Sequence, residues 1–475
     1  MAGRKHQTMV PEKTFTKISP SIFVGLVLTF VSISGVFAQS IPEPQRDHTL
    51  NGLTVLLDKR PADPNMTLTL RIQSGSSFDT VNKGGTMAIM SDLLFPDPTT
   101  REFITDELKG KLETSVGFDS IDVVMSGRAA EFERLVQFMR TALTGNAFTP
   151  EDFERIKEAR IKFLRDTHSS ASATADLAIS SRLFGLYPYG HPPAGTPESL
   201  SLIAIGDVIH ARERFLNPNN AVLVVSGSID SDRVMRALRQ LLGGWRKSES
   251  IAPQTFRQPS EPDERILIVA APGNDNAEVR LAVRGLSRSD KDYYASQVLA
   301  ELVKMHWMAG ASALSKGPTF VRSQAFVLPG VFVLGSSVPA EKASTVLLAA
   351  KRSIELLSTT APSPEDFGQA KTRALADFQT YTANAEGLAK MWLNSETYEL
   401  PSVQSQIDSF NAVTAEDVFR VAGRLFQKRP VALVAAGNEV ELTRIFSADE
   451  KFKIQTAPLP SPVKTTNSKP VSTKP

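Results

Sequence analysis

The chain has 475 residues, 41% apolar and 22% charged, enough to bury more than one sizeable core, so two or three domains are expected. Its net charge of +2 comes from basic and acidic residues spread along the chain. With no block of like charge, nothing points to nucleic acid as a partner. There is no cysteine, which excludes disulfides, thiolate zinc sites and a lipid anchor on an N-terminal cysteine.

Residues 1–38 read as a secretory signal peptide: Arg4, Lys5, Lys13 and Lys17 make a basic region before the apolar run "SIFVGLVLTFVSISGVFA". Val36 and Ala38 fit the small-residue pattern before a cut, giving a mature chain from near Gln39. A retained anchor stays open as an alternative, since the run is near the spanning minimum. No later stretch is long and apolar enough, so no stable membrane span is expected after cleavage. Export without disulfides suits a bacterial periplasm.

Farther along, "LTVLLDKR" from Leu53 reads as a strand and "EFERLVQFMRTAL" as an amphipathic helix with apolar residues at i, i+3, i+4 and i+7. "TPEDFERIKEARIKFLRD" from Thr149 opens a helix with a Thr cap, Pro at the first position and acidic residues in the first turn. "NNAVLVVSGSID" from Asn219 reads as a strand and a turn. The polar, Pro-rich stretch 247–264 reads as a linker.

The second half answers to the first. "RILIVAAP" from Arg265 matches the opening strand, "SPEDFGQAKTRALADFQT" from Ser363 matches the Thr149 helix, and "RPVALVAAGNEV" from Arg429 matches the Asn219 strand, at an offset that stays near about 210 residues. "ASTVLLAAKRSIELL" supplies the amphipathic helix. The fold class expected is therefore α+β, with two similar domains, each a mixed β-sheet packed by helices and reading strand, strand, helices, strand, helix pair, strand, helix. The boundaries are 39–246 for the N-terminal domain, 265–450 for the C-terminal one, and 451–475 for a disordered tail rich in Pro, Ser, Thr and Lys.

"NGLTVLLDKR", then "SGSSFD" from Ser74, then "KGGTMAIMSDLLF" resembles in order and spacing the opening of the insulinase-type (pitrilysin family) zinc metallopeptidases. "LYPYGHPPAGTPESL" from Leu186 and "FLNPNNAVLVVSGSID" from Phe215 are similar to later family segments, so the resemblance covers roughly residues 50 to 445. It implies a duplicated α+β fold closing around peptides, with zinc held by a His-x-x-Glu-His helix and a Glu from a later helix. Such chemistry needs two His one turn apart on one helix face and a Glu as general base for the bound water.

The resemblance places Ala88 and Asp92 at the two His positions, Ser91 at the Glu, and Phe163 at or within a residue of the third ligand, with Glu158 and Asp166 off that face. Alanine and phenylalanine carry no donor atom and one Asp cannot hold the ion, so the chain reads as a catalytically degenerate member with no catalytic residue, metal ligand or cofactor of its own. In the second half, the family's substrate-contacting Arg and Tyr fall at Ala313 and Phe320, with Lys316 and Arg322 nearby.

No relocated site suggests itself. The six histidines, His6, His48, His168, His191, His210 and His306, include no two within four residues. Ser226 follows a strand but lacks the Gly-x-Ser-x-Gly elbow. Gly84–Gly85 lacks the Lys and Ser/Thr of a phosphate loop and reads as the turn that starts a helix.

The expected function is a noncatalytic, exported subunit pairing as a heterodimer with an active zinc-bearing homologous subunit to enclose peptide substrates, the zinc lying in that partner. The alternative is a standalone envelope binding or assembly protein. Least favoured is an active metallopeptidase with an unconventional site.

Overall fold

Strands form where short apolar runs are bounded by turn residues. The computed structural model describes residues 41–456 apart from 146–147, 168–169, 229, 252, 254, 272–275 and 312–316. The leader expected over 1–38 and the tail from 457 onward lie outside the described residues.

In chain order the strands are β1 (Gln45–His48), β2 (Thr54–Lys59), β3 (Asn65–Ile72), β4 (Leu112–Val116), β5 (Ile121–Arg128), β6 (Ala221–Gly227), β7 (Ile266–Ala270), β8 (Asn276–Arg284), β9 (Thr319–Gln324), β10 (Val331–Pro339), β11 (Ala432–Gly437) and β12 (Ile454–Thr456). They make two sheets of the same plan, β1-β2-β6-β3-β5-β4 and β12-β7-β11-β8-β10-β9. Both are mixed: β2 runs parallel to β6 and β7 to β11, while the neighbouring pairs toward β4 and β9 are antiparallel. The α+β class with two similar halves is what the structure shows.

Two readings need correction. The single strand expected between helices is in each half a hairpin, β4–β5 and β9–β10. The tail expected from 451 contributes β12, which pairs in parallel with β7, Ile454 opposite Ile266. Without it β7 would end the sheet as a bare row of N–H and C=O groups. In the first half β1, from the other end of the chain, does this job antiparallel to β2. Composition alone does not reveal such a need for pairing.

Each half has its own core. In the first, Leu68, Leu70, Val123, Phe132, Leu135 and Leu223 are among the buried residues. In the second, Val279, Leu281, Phe332, Val346, Phe410 and Phe446 are. The opposite faces are covered reciprocally. Helix Ala171–Phe184 of the first half lays Ala175, Ala178 and Ile179 on Ala282, Val434 and Ala436 of the second sheet. Helix Ala385–Thr397 of the second half lays Leu388, Met391 and Trp392 on Leu56, Val222 and Val224 of the first. Both faces of the sheets are thus buried, which is why their inner strands read as continuous apolar runs.

Candidate functional site

Helix Thr86–Asp92 carries the positions where the family resemblance seeks zinc ligands. It starts at Gly85, in the left-handed region at φ 96°. A Cβ there would lie 2.5 Å from Leu200 Cδ2, so both conformation and space require glycine. The Asp79 carboxylate, last residue of "SGSSFD", accepts from the Gly85 and Met87 N–H groups at 2.7 and 2.9 Å, meeting two donors the helix cannot satisfy itself. Burial outweighs these two bonds and pushes the Asp79 carboxyl up to about 7.

The segment from Leu186 closes over this start. Ser199 Oγ donates to Gly84 O at 2.7 Å, and the ring of His191 lies where a Cβ on Gly84 would approach within 3.1 Å. Burial depresses the pKa of His191. Gly84–Gly85 is a packed turn at the start of a helix.

On the helix, Ala88 is fully buried, and the Ser91 hydroxyl is buried without a hydrogen-bond partner. Asp92 Oδ2 accepts from Arg160 Nε at 2.9 Å and Nη2 at 2.5 Å, and the same Nη2 reaches Ala88 O at 3.4 Å. Arg160 belongs to helix Pro150–Thr167. Its guanidinium is therefore paired with the side chain at 92, one of the two positions where the family would place imidazoles, and touches only the backbone carbonyl of 88. Phe163, one turn on, is 62% exposed.

These four side chains do not fit a zinc ion. Two have no donor atom, the hydroxyl is enclosed in the core, and the one carboxylate already has a fixed cation beside it. Among the described residues no three His, Asp or Glu gather in a way that could hold a metal. His6 and His168 lie outside the described residues.

Beside the helix, β4 forms the outer edge of the first sheet. Ser126 N–H donates to Lys111 O and Gly117 N–H to Ser120 O, so residues 111, 113, 115 and 117 turn their peptide groups toward β5. Alternation then turns the N–H and C=O groups of Leu112, Thr114 and Val116 outward. Arg101 Nη1 donates to Leu112 O at 2.5 Å.

Comparison with known proteins bears on this geometry. Residues 203–374 match the family described as "Peptidase M16 inactive domain". An uncharacterized zinc protease of Rickettsia felis is 22% identical over 209 residues, 42% of this chain and 50% of the relative. The mitochondrial-processing peptidase subunit beta of Saccharomyces cerevisiae is 18% identical over 87% of this chain and 96% of its own length. The crystal structure of a protease from Helicobacter pylori superposes with a TM-score of 0.76 at 17% identity, covering 83% of this chain and 99% of that one.

The chain is a pitrilysin-type (M16) peptidase homologue. It spans about half the length of the first zinc-protease relatives it matches. The segment matched to the inactive-domain family begins after helix Thr86–Asp92, so the character of that helix rests on its own residues.

In the second half of this M16 homologue, Ala313 and Lys316 lie outside the described residues. Phe320 on β9 is half-buried between two guanidiniums, Arg322 at 4.2 Å and Arg280 at 5.1 Å from its ring. Arg280 is itself buried and donates through Nε to Asp176 Oδ1 at 2.6 Å, on the first-half helix that covers the second sheet. Phe320 thus packs at the junction of the halves.

Sequence reasoning missed Arg160. The signal was present: it stands three residues before Phe163, on the adjoining turn of the same helix. Nothing local showed that this turn faces Asp92.

Proposed function

We propose that the chain is a noncatalytic subunit of an exported pitrilysin-type peptidase, pairing with a zinc-bearing homologue to enclose extended peptides. The observation that carries this reading is the Arg160 guanidinium paired with Asp92 beside the donorless Ala88, an organic cation where catalysis would need a metal and its water. The zinc belongs to the partner. This chain contributes wall and shape, with the outward peptide groups of Thr114 and Val116 on β4 turned toward an added strand. The name of the yeast relative, a subunit of a processing peptidase, supports the pairing. The basic and apolar leader supports export, and among the described residues no helix is long and apolar enough to cross a membrane.

The test is to isolate the mature protein from its native envelope under mild conditions, identify what coelutes, and assay peptide cleavage with and without chelator. An active zinc homologue at matched amounts, with cleavage requiring both chains, is expected. Chelator-sensitive cleavage by this chain alone would overturn the reading, and a solitary inert protein that binds peptides would replace it with a standalone binding role.

A further inference from the structure

The β4–β5 hairpin ends in the turn Gly117–Ser120, and there Asp119, 4% exposed, reaches into the second half. Its Oδ1 accepts from the Tyr189 hydroxyl at 3.2 Å. Its Oδ2 accepts from the Val327 N–H at 2.8 Å and the Tyr398 hydroxyl at 3.2 Å. The Tyr189 oxygen in turn accepts from the Leu328 N–H at 3.1 Å. Burial first, and the Asp119 charge second, push both phenols well above the usual tyrosine range, so both remain donors at any ordinary pH.

Val327 and Leu328 lie between β9 and β10, the hairpin that answers to β4–β5 in the duplication. The tips of the two edge hairpins therefore meet. Their aromatic residues meet as well, the Phe118 ring standing 4.9 Å from Phe326 and 4.8 Å from Tyr189. One strand away, buried Arg71 on β3 forms paired bonds of 2.7 Å to Asp122 and donates to Asn394 Oδ1 at 2.7 Å, on the helix that leads to Tyr398.

We infer that Asp119 is a positioning residue that holds the open edge β4 at a fixed place against the second half. Among the described residues the edge strand pairs with β5 alone, and its turn is tied to the first half through Ser76 and Ser77, whose N–H groups donate to Gly117 O and Phe118 O at 3.0 and 2.9 Å. Asp119 adds the tie across the halves. A buried carboxylate accepting from three donors cannot move without leaving those donors unmet where the dielectric is low. That this edge receives a peptide rests on the proposed function; that Asp119 fixes it does not.

The experiment is hydrogen exchange on the full mature chain for wild type, D119A and Y398F, with Y381F, at an exposed tyrosine, as control. Binding of fluorescein-labelled casein peptides is measured on the same samples. Losing one hydrogen bond to the carboxylate in Y398F is expected to speed exchange of the amides of 113, 115 and 117, which face β5 within the segment 112–121, by about tenfold. Exchange in helix Ser231–Leu242 should stay unchanged, and peptide affinity should fall in step. Unchanged exchange over 112–121, or a uniform rise through both halves, overturns the assignment. Failure of the wild-type chain to bind casein peptides counts against the peptide role alone, because exchange decides Asp119 without any peptide.

Discussion

Take away the Arg160 charge, and the region around helix Thr86–Asp92 should loosen by an amount the geometry bounds. Side-chain exposure is 32% for Asp92 and 17% for Arg160, so the pair is neither a surface contact nor fully enclosed. Exposed pairs contribute roughly 0.2–1 kcal/mol, whereas breaking a buried pair costs about 3–5 kcal/mol. With two N–H groups converging on one oxygen, we expect a coupling of about 1–2 kcal/mol between D92N and R160M in a double-mutant cycle. The readout is amide exchange over residues 89–93, which reports local opening of this helix directly, and about 1–2 kcal/mol appears there as a 5- to 30-fold change. The proteins are stripped with chelator and then measured with and without added zinc. A metal present at a hundred times its Kd would add about 2.7 kcal/mol to whatever state bound it, so a real site would be plain. Coupling below about 0.3 kcal/mol would refute the reasoning, being within ordinary additivity error. So would protection of this helix by zinc in the wild type.

Other parts of the structure can be tested as directly. G85A forces a side chain into a left-handed turn and against Leu200, and should destabilise the protein by roughly 2–4 kcal/mol in urea unfolding. Asp79, raised to about 7, keeps its proton in the folded protein up to about that pH, while the unfolded chain ionises near its ordinary value. The folded state then binds more protons between about pH 4 and 7, so this group's contribution to stability falls as pH rises through that window and levels off above it. D79N should remove that slope, seen as a smaller loss of melting temperature between pH 5 and pH 8; an unchanged pH profile would show that another group governs it. W392A removes a buried indole from the contact with Leu56, Val222 and Val224. It should cost about 3–5 kcal/mol and speed proteolysis within residues 247–264, and a chain as resistant as wild type would count against the reciprocal packing.

Much of the architecture was legible because duplication prints itself twice. The matched strand at Arg429 and the matched helix at Ser363 needed only apolar runs, a Ser cap and Pro at the first helical position, all local features. The hairpin β4–β5 was not legible as two strands, since "LETSV" exposes Glu113 and Ser115 and carries little apolar signal at a sheet edge. Strand β12 was hidden for a related reason: its pairing is dictated by the open side of β7, far away in sequence. At the site, the residue types at 88, 91 and 92 could be read one by one, but their surroundings could not. Asp92 meets Arg160 across 68 residues of chain, and Asp119 meets Tyr398 across 279. Such contacts follow from the register of whole elements.

The same surroundings explain how this fold can do without metal ligands on helix Thr86–Asp92. Small metal domains that unfold without their ion have no other source of binding energy at the site. Here the helix is held at its start by the Asp79 carboxylate and by close packing of Gly84 and Gly85 against residues 191–200. Along its length it is held by the burial of Met87, Ala88, Ile89 and Met90, and at its end by Arg160. The guanidinium also bears on what a metal would require: an imidazole at 92 would replace the carboxylate that Arg160 is paired with and leave a cation beside any bound ion. Placing the family's ligand pattern at 88, 91, 92 and 163 should therefore bind zinc more weakly by calorimetry than the same substitutions combined with R160M.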